Sequence, residues 1–233
     1  MAAGGTTFVI GALCWFAFPR FPAKVQQRKQ MLLRKRYWLY YALTFLSGAR
    51  RQIFVVFAGF LLVQKFGFDV GTITALFLVN AVINIFLAPV IGKAIARFGE
   101  RRALIFEYLG LIGVFVAYAL VESGTVAAVL YVVDHLFFAL AIAMRTYFQR
   151  IADPADIAAT AGVSFTINHI ASVLLPAAYG LLWLVSPALV FLSGALLATM
   201  SLALSILVPH DPREGNEVWT DFTPIGVRSA TTS

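Results

Sequence analysis

Six apolar segments, each long enough to cross a membrane as a helix, follow one another along most of this chain. A helix of about 20 apolar residues spans the hydrocarbon layer of a bilayer. Hydrophobic residues make up 61% of the sequence and charged residues 12%, whereas soluble domains are about 45–50% apolar and about 25% charged. The sequence therefore predicts an all-α integral membrane protein with lipid as its solvent. The spans are predicted at about 37–64, 70–96, 103–121, 126–148, 158–185 and 188–208.

The net charge of +7 comes from basic residues that cluster in loops on one side of the predicted bundle. Such an asymmetry places the basic loops in the cytoplasm. A nucleic-acid surface would need this charge on a soluble face, so we exclude nucleic acid as a partner. We expect a multi-pass protein of the plasma (inner) membrane with a cytoplasmic carboxyl terminus. The two most basic loops contain Arg20, Lys24, Arg28, Lys29, Arg34, Lys35 and Arg36, and Lys93, Arg97, Arg101 and Arg102.

Four regions are predicted along the chain. Residues 1–18 form a short apolar stretch that reads as the end of a preceding transmembrane helix. Residues 19–36 form a basic cytoplasmic loop, expected to be helical in part and to lie on anionic lipid. Residues 37–208 form a six-helix transmembrane bundle whose short loops make successive helices antiparallel neighbours. Residues 209–233 are polar and predicted to be a disordered cytoplasmic tail.

Two adjacent arginines, Arg50 and Arg51, lie near the middle of the first span. At a rise of 1.5 Å per residue they are about 20 Å from either helix end, too far for their side chains to reach water fully. Tyr40, Thr44, Ser47 and Arg51 share one face of the helix and form a polar stripe. Such a stripe must face protein or water rather than lipid.

Other polar residues fall at a similar depth on three further helices, and intramembrane ionisable groups are functional candidates by default. Four helices with polar groups near the midplane predict the wall of a solvated cavity for substrate binding or coupling. The additional candidates are Asp134, His135, Asn168, His169, Asn80 and Asn84.

Structural roles for these residues stay open. Asp134 could pair with Arg50 or Arg51 simply to join two helices. The asparagines could be interhelical hydrogen-bond donors, and the histidines either packed core residues or proton-sensitive groups. The surplus arginine favours binding of an anion. Glu107 is expected to form an ion pair with the loop arginines at the cytoplasmic edge.

The loop between the second and third spans carries a motif that resembles one in the major facilitator superfamily. That pattern is a glycine, three residues, an acid, a basic residue, any residue, a glycine and then basic residues. Ala96 stands at the acidic position, and Glu100 is inserted among the basic positions. The matching residues are Gly92, Arg97, Gly99, Arg101 and Arg102.

The resemblance implies that residues 37–208 are helices 7–12, half of a twelve-helix fold, with residues 1–18 as the end of helix 6. It implies that helices 7 and 10 line the central path and that Arg97, Arg101 and Arg102 are contacts of a cytoplasmic gate. It also implies that two halves rock about a midplane site. The chain is thus expected to be a fragment, or a half that pairs with an amino-terminal half or a second copy.

We predict a secondary active transporter, proton-coupled as a symporter or antiporter, that moves a small polar or anionic organic solute across the lipid bilayer. Asp134 is the candidate proton site. A seven-helix receptor, a structural membrane protein and a membrane enzyme are the alternatives. A retinal protein would need a lysine in the last span, which has none, and no nucleophile–base pair indicates catalysis. One cysteine, Cys14, and widely spaced histidines predict no metal site and no cofactor.

Overall fold

The computed structural model describes residues 2–17, 25–28 and 33–219, with side chains in the first of these ranges described from Gly5. Within these ranges the regular structure is helical. A π-helical segment, Ile53–Ala58, joins α2 to α3. The α-helices are α1 (Ala2–Ala17), α2 (Trp38–Gln52), α3 (Gly59–Phe66), α4 (Val70–Phe98), α5 (Glu100–Leu120), α6 (Gly124–Ala139), α7 (Ile142–Ile151), α8 (Ile157–Val185) and α9 (Pro187–Ser205).

The predicted fold class, six spanning helices with a short helix at the amino terminus, is confirmed. By length and composition six helical stretches can cross a membrane, and α1 is shorter. All described side chains of α1 except that of Ala12 are exposed. The six spans are Lys35–Phe66, Val70–Phe98, Glu100–Leu120, Gly124–Ile151, Pro154–Val185 and Pro187–Ser205.

The bundle has a densely packed back and an open front. At the back, α5 packs lengthwise against α9, and α9 also packs against α2, which packs along α8. The front helices α4 and α8 are mostly exposed: only Asn80, Ile91 and Ile95 are buried among the 29 residues of α4. This contrast follows from the solvent, because lipid imposes no penalty on exposed apolar side chains.

Short turns with defined caps keep neighbouring helices antiparallel. Gly67 ends α3 with a φ of 69°, a conformation that glycine adopts without strain. Asp69 then caps α4 by accepting a hydrogen bond from the Thr72 amide at 2.9 Å. At the other end, Gly99 separates α4 from α5 with a φ of 85°. The loop motif therefore has glycine at position 99 because the backbone there takes a positive φ, which glycine adopts without strain.

Two helices are irregular near mid-span. Six residues of π-helix, Ile53–Ala58, interrupt the first span. The fourth span breaks at Leu140 and Ala141, where amides bond to carbonyls three residues back, as from Ala143 to Leu140 at 2.8 Å. Mid-helix departures of this kind are frequent at functional sites and hinges. Both occur beside the polar residues predicted from the sequence.

The loop before the bundle is held to the turn between α7 and α8. The Arg28 guanidinium lies 2.6 Å from Asp156 and 3.2 Å from Asp153, and Arg34 lies 2.6 Å from Asp156. The Asp156 side chain is buried, and the Tyr37 hydroxyl also donates to it. We call Arg28, Arg34, Tyr37, Asp153 and Asp156 the loop clamp.

The expectation that residues 19–36 are helical in part stays a prediction, because much of that loop lies outside the described residues. Residues 25–28 and 33–34 are not helical, and only a 3₁₀ turn at Lys35–Tyr37 precedes α2. The arginines face protein carboxylates, which fix the chain in an extended course. Met31 and Leu32, which suggested the helix, lie outside the described residues.

Residues 206–219 fold back onto the end of the bundle that carries the basic loops; we call them the carboxyl-terminal strap. Its Glu214 and Glu217 pair with Arg36 at 3.2 and 3.5 Å. The ring of Trp219 lies 4.5 Å below the Arg101 guanidinium. The prediction of a disordered tail is therefore wrong for residues 209–219, whereas 220–233 lie outside the described residues.

We predict that acidification loosens the strap through His210, whose ring packs beside Trp219. Burial and the charges of Arg101 and Arg102 hold the pKa of His210 below its ordinary value of 6.5. A depressed folded pKa means that the neutral form stabilises the packed strap. This contribution is present above the ordinary pKa and is lost as the pH falls through the folded value.

The measurement is Trp219 fluorescence in a variant in which the other three tryptophans, Trp15, Trp38 and Trp183, are replaced by phenylalanine. We expect Trp219 to become more accessible to a quencher as the pH falls from about 7.5 to about 5.5. His210→Gln should remove that dependence. An identical pH curve in the His210→Gln chain would contradict the prediction.

Candidate functional site

A cavity of about 880 Å³ opens at the front of the bundle. It runs from the basic-loop ends of the helices to mid-span, between α2, α4, the broken α6–α7 pair and α8. None of its lining residues comes from α5 or α9. The lining comprises Tyr40, Thr44, Ser47, Arg51, Phe54, Val55, Phe77, Asn84, Ala88, His135, Phe138, Ala139, Ala141, Ile142, Met144, Arg145, Phe148, Gln149, Ile157, Ala161, Ser164, Phe165 and Asn168.

The polar stripe of the first span faces this cavity. Tyr40, Thr44, Ser47 and Arg51 all line it. The helical spacing predicted this shared face. Arg51 is exposed and has no ion pair or hydrogen bond among the residues that the structure describes. Its guanidinium therefore offers all its donors to whatever enters the cavity.

Arg50 points the opposite way, into the dry back of the bundle. Its side chain is fully buried, and its Nη2 lies 3.9 Å from Glu107 Oε1 on α5. The guanidinium also lies 4.5 Å over the ring of Tyr108. Adjacent residues on a helix are about 100° apart, so two neighbouring arginines can serve two separate environments.

Asp134 completes a buried charge cluster with Arg50 and Glu107. It is fully buried on α6 and interacts electrostatically with both of these residues. Neither Asp134 oxygen, nor Glu107 Oε2, nor either terminal nitrogen of Arg50 has a hydrogen-bond partner within the described ranges. We call Arg50, Glu107 and Asp134 the buried triad. It joins α2, α5 and α6 behind the cavity wall.

The expected position of Glu107 at the cytoplasmic edge is wrong. The helix α5 begins at Glu100, three residues earlier than predicted, which places Glu107 about 10 Å inside the span. Its partner is Arg50 rather than the loop arginines. The acid at the edge is Glu100, which pairs with Arg150 of α7 at 3.1 Å.

The other sequence candidates divide between the cavity and the packed interior. His135, Asn84 and Asn168 line the cavity. Asn80 is buried, and its amide atoms lack partners in the described part of the chain. His169 is exposed and stacks on Phe165 at 3.8 Å, outside the cavity lining. The structure thus brings four of the eight candidates together, counting Arg51.

His135 is held in a defined orientation. Its Nδ1 lies 3.1 Å from the Tyr131 carbonyl oxygen, so a proton on Nδ1 completes that hydrogen bond and leaves Nε2 for the cavity. Its ring packs edge-on against Phe54 at 4.8 Å. The histidine therefore belongs to an aromatic group as well as to the polar lining.

The helices α2 and α8 approach each other closely beside the cavity. A methyl group added at Gly48 would overlap Asn168 Oδ1. One turn further on, the Gln52 amide donates to the Ser172 hydroxyl at 2.8 Å. Glycine at position 48 thus permits a contact that sets Asn168 at the cavity wall.

Sequence reasoning missed Arg145 and Gln149, which line the end of the cavity nearest the basic loops. The spacing from His135 through Phe138 and Ile142 to Arg145 follows one helical face and could have revealed it. Arg145 is exposed and has no ion pair among the described residues.

The residues of the loop motif lie at the end of the bundle, apart from the cavity. Gly92, Arg97 and Arg102 are exposed. Arg101 is half-buried against Trp219, and its Nη1 has no hydrogen-bond partner among the described residues. Arg101, one of the arginines that the resemblance implies for a cytoplasmic gate, is therefore in contact with Trp219 of the strap.

The cavity lining is electropositive. It includes two arginines without counter-charges, and no aspartate or glutamate is among the lining residues. The residues that the structure describes also contain no group of three histidine, cysteine or acidic side chains that could hold a metal ion. The lining offers guanidinium, amide and hydroxyl groups as hydrogen-bond donors.

The fold and this site define a polytopic membrane protein with a cavity that opens between its helices. The family model of the Major Facilitator Superfamily matches residues 1–176 of the 233. The chain belongs to this superfamily, which is a family of membrane transporters. No curated protein and no solved structure matches it.

We predict that the two adjacent arginines differ sharply in their effect on stability. Arg50→Gln leaves Glu107 and Asp134 buried without a cation, which should cost about 3–5 kcal/mol of unfolding free energy. Arg51→Gln removes a side chain without a protein partner and should change stability by less than about 0.5 kcal/mol. Unfolding of the purified chain in mixed detergent micelles measures both. Equal losses would contradict the assignment of Arg50 to the interior and Arg51 to the cavity.

Proposed function

We propose that the protein is a secondary active transporter that moves a small anionic organic solute by alternating access, with protons as the coupling ion. The observation that carries this proposal is the unbalanced charge of the cavity. Two free guanidinium groups, Arg51 and Arg145, line it without any lining carboxylate. A site of this kind is stabilised when an anion enters.

The two arginines lie at different depths. Arg51 is about 20 Å from the basic-loop end of α2, whereas Arg145 is about 9 Å from the same end of α7. In our proposal Arg145 attracts the anion into the open part of the cavity, and Arg51 binds it at mid-span. The amides of Asn84 and Asn168 and the hydroxyl of Ser47 are further donors in the lining.

The buried triad is our candidate for the proton site. It contains two carboxyl groups and one guanidinium, so its net charge is −1 when both acids are ionised. Burying an uncompensated charge is costly, and one bound proton neutralises the cluster. Asp134 was the sequence candidate, and we assign Glu107 to the same role because both acids are buried and interact electrostatically with Arg50.

The adjacency of Arg50 and Arg51 offers a route for coupling. Protonation of Glu107 or Asp134 weakens the electrostatic attraction between that acid and Arg50. A shift of the Arg50 side chain would then act on the backbone of the adjacent residue, Arg51. The π-helical segment begins two residues further on, at Ile53. A π-helical turn can exchange register with α-helix at low cost, which would let this part of the helix move locally.

The cavity reaches the end of the bundle that carries the basic loops, which we assign to the cytoplasm by their charge. The conformation then faces inward, and transport requires a second conformation that opens outward. We propose that an amino-terminal half or a second copy of the chain supplies the opposite cavity wall. The arginines at 97, 101 and 102 are the proposed contacts that close the inner side.

Arg51→Gln should reduce anion uptake more than tenfold, because the cavity then lacks its mid-span cation. Proteoliposomes containing the full chain are loaded at alkaline pH and diluted into acid buffer. Uptake of labelled acetate, benzoate and inorganic phosphate is measured separately. Arg213→Gln is the matched control, since this exposed arginine lies outside the cavity. Unchanged uptake in Arg51→Gln would overturn the anion site.

Glu107→Gln or Asp134→Asn should remove a protonated carboxyl group from the resting protein. Infrared spectra of the chain in lipid nanodiscs detect that group by its carbonyl band. We expect a single band in the unchanged protein and its loss or shift in these two variants. Glu122→Gln is the control, because this residue lies in an exposed turn between α5 and α6. A spectrum without such a band would contradict proton binding by the triad.

A further inference from the structure

The mid-span end of the cavity is aromatic. Phe54 of the π-helical segment, Phe77 of α4 and Phe138 of α6 all line it, beside His135. Phe54 lies three residues beyond Arg51 on the same helix, which is one turn deeper in the membrane and on the same face. The guanidinium of Arg51 thus lies between the aromatic end of the cavity and its open end.

These rings are arranged edge to face around the deep end. Phe77 makes angles of 86° with Tyr131 and 87° with His135, at centroid distances of 5.6 and 6.3 Å. Phe54 meets His135 at 78°. Phe77 is 48% exposed, so the described residues leave about half of its surface uncovered. A further ring can extend such a cluster with the geometry that aromatic pairs prefer.

A purely polar anion would make poor use of this end of the cavity. The face of an aromatic ring carries negative charge and disfavours a carboxylate, whereas it attracts the edge of another ring. An anion with an apolar ring resolves the conflict. Its ring enters the aromatic end, and its carboxylate stays one turn nearer the opening, at Arg51.

We propose that the transported solute is an aromatic monocarboxylate, with its carboxylate on Arg51 and its ring against Phe54, Phe77 and His135. This inference rests on the proposed function and specifies the substrate class of the same cavity. Arg51 is the charge-binding residue, and Phe77 is the residue that distinguishes aromatic from aliphatic acids. Arg51 and Phe77 both lie near mid-span, so we assign them to the binding site rather than to the opening of the cavity.

The test is direct binding to the full chain in lipid nanodiscs, measured by calorimetry. The probes are benzoate, acetate, cyclohexanecarboxylate and benzyl alcohol. We expect benzoate to bind at least about tenfold more tightly than acetate, because a phenyl group leaves water. Benzoate should also bind more tightly than cyclohexanecarboxylate, which has a ring of similar size without aromatic faces. Benzyl alcohol, which lacks the charge, should bind more weakly than benzoate.

Three variants test separately the anion site at Arg51 and the preference for aromatic acids. Arg51→Gln should abolish binding of benzoate and acetate alike. Phe77→Leu should bring benzoate close to acetate while leaving acetate unchanged. Phe86→Leu is the matched control on the same helix, because Phe86 is 74% exposed and lies outside the cavity lining. It should alter neither affinity.

The failures are distinguishable. Binding of every anion without dependence on Arg51 would overturn the proposed function together with this inference. Dependence on Arg51 with equal affinities for benzoate, acetate and cyclohexanecarboxylate would overturn the aromatic class alone, leaving the rings as a packed seal of the cavity. Saturation transfer to the ring fluorine of 4-fluorobenzoate provides a readout without a variant. If 4-fluorobenzoate shows no saturation transfer at a concentration at which acetate saturates the site, the aromatic class is also overturned.

Discussion

The ion pair between Arg50 and Glu107 is the constraint on which the bundle depends. Both side chains are buried, at 0% and 1% exposure, and they come from helices that are far apart in the sequence. A buried charge without a partner is strongly destabilising, so α2 and α5 must stay together wherever lipid surrounds them. Asp134 adds α6 to the same requirement. The back of the bundle is therefore fixed by charge as well as by packing.

The front of the bundle has the opposite character. Its helices line a cavity, and two of them depart from α-helical geometry where the cavity is deepest. Irregular backbone at membrane depth is tolerated where it lines a cavity or is buried in protein. A packed back and an irregular front, joined by the two arginines of α2, are the features on which the proposed alternating access rests.

Much of this architecture could be predicted from residue spacing. Apolar length predicted the six spans, and helical periodicity placed Tyr40, Thr44, Ser47 and Arg51 on one cavity face. Periodicity states which residues share a face, but it does not state what the face meets. Periodicity therefore could not predict the ion pair between Arg50 and Glu107, because that contact depends on how α5 is placed relative to α2.

Two further differences between the predictions and the structure have identifiable causes. The start of α5 at Glu100 moved Glu107 inward by about one turn. The strap and the loop before α2 read as free polar segments because their partners are remote in sequence: Asp156 for Arg28 and Arg34, and Arg36 for Glu214 and Glu217. Composition detects the charges of such segments, whereas only the fold reveals their pairing.

The loop clamp has a mechanical consequence. Arg28 and Arg34 tie the chain ahead of α2 to the buried Asp156 at the foot of α8, more than 100 residues away. A displacement of the chain ahead of α2 would therefore pull on α8, which carries Asn168 of the cavity lining, as well as on α2 through the covalent link. The clamp thus couples the chain before the bundle to one wall of the cavity.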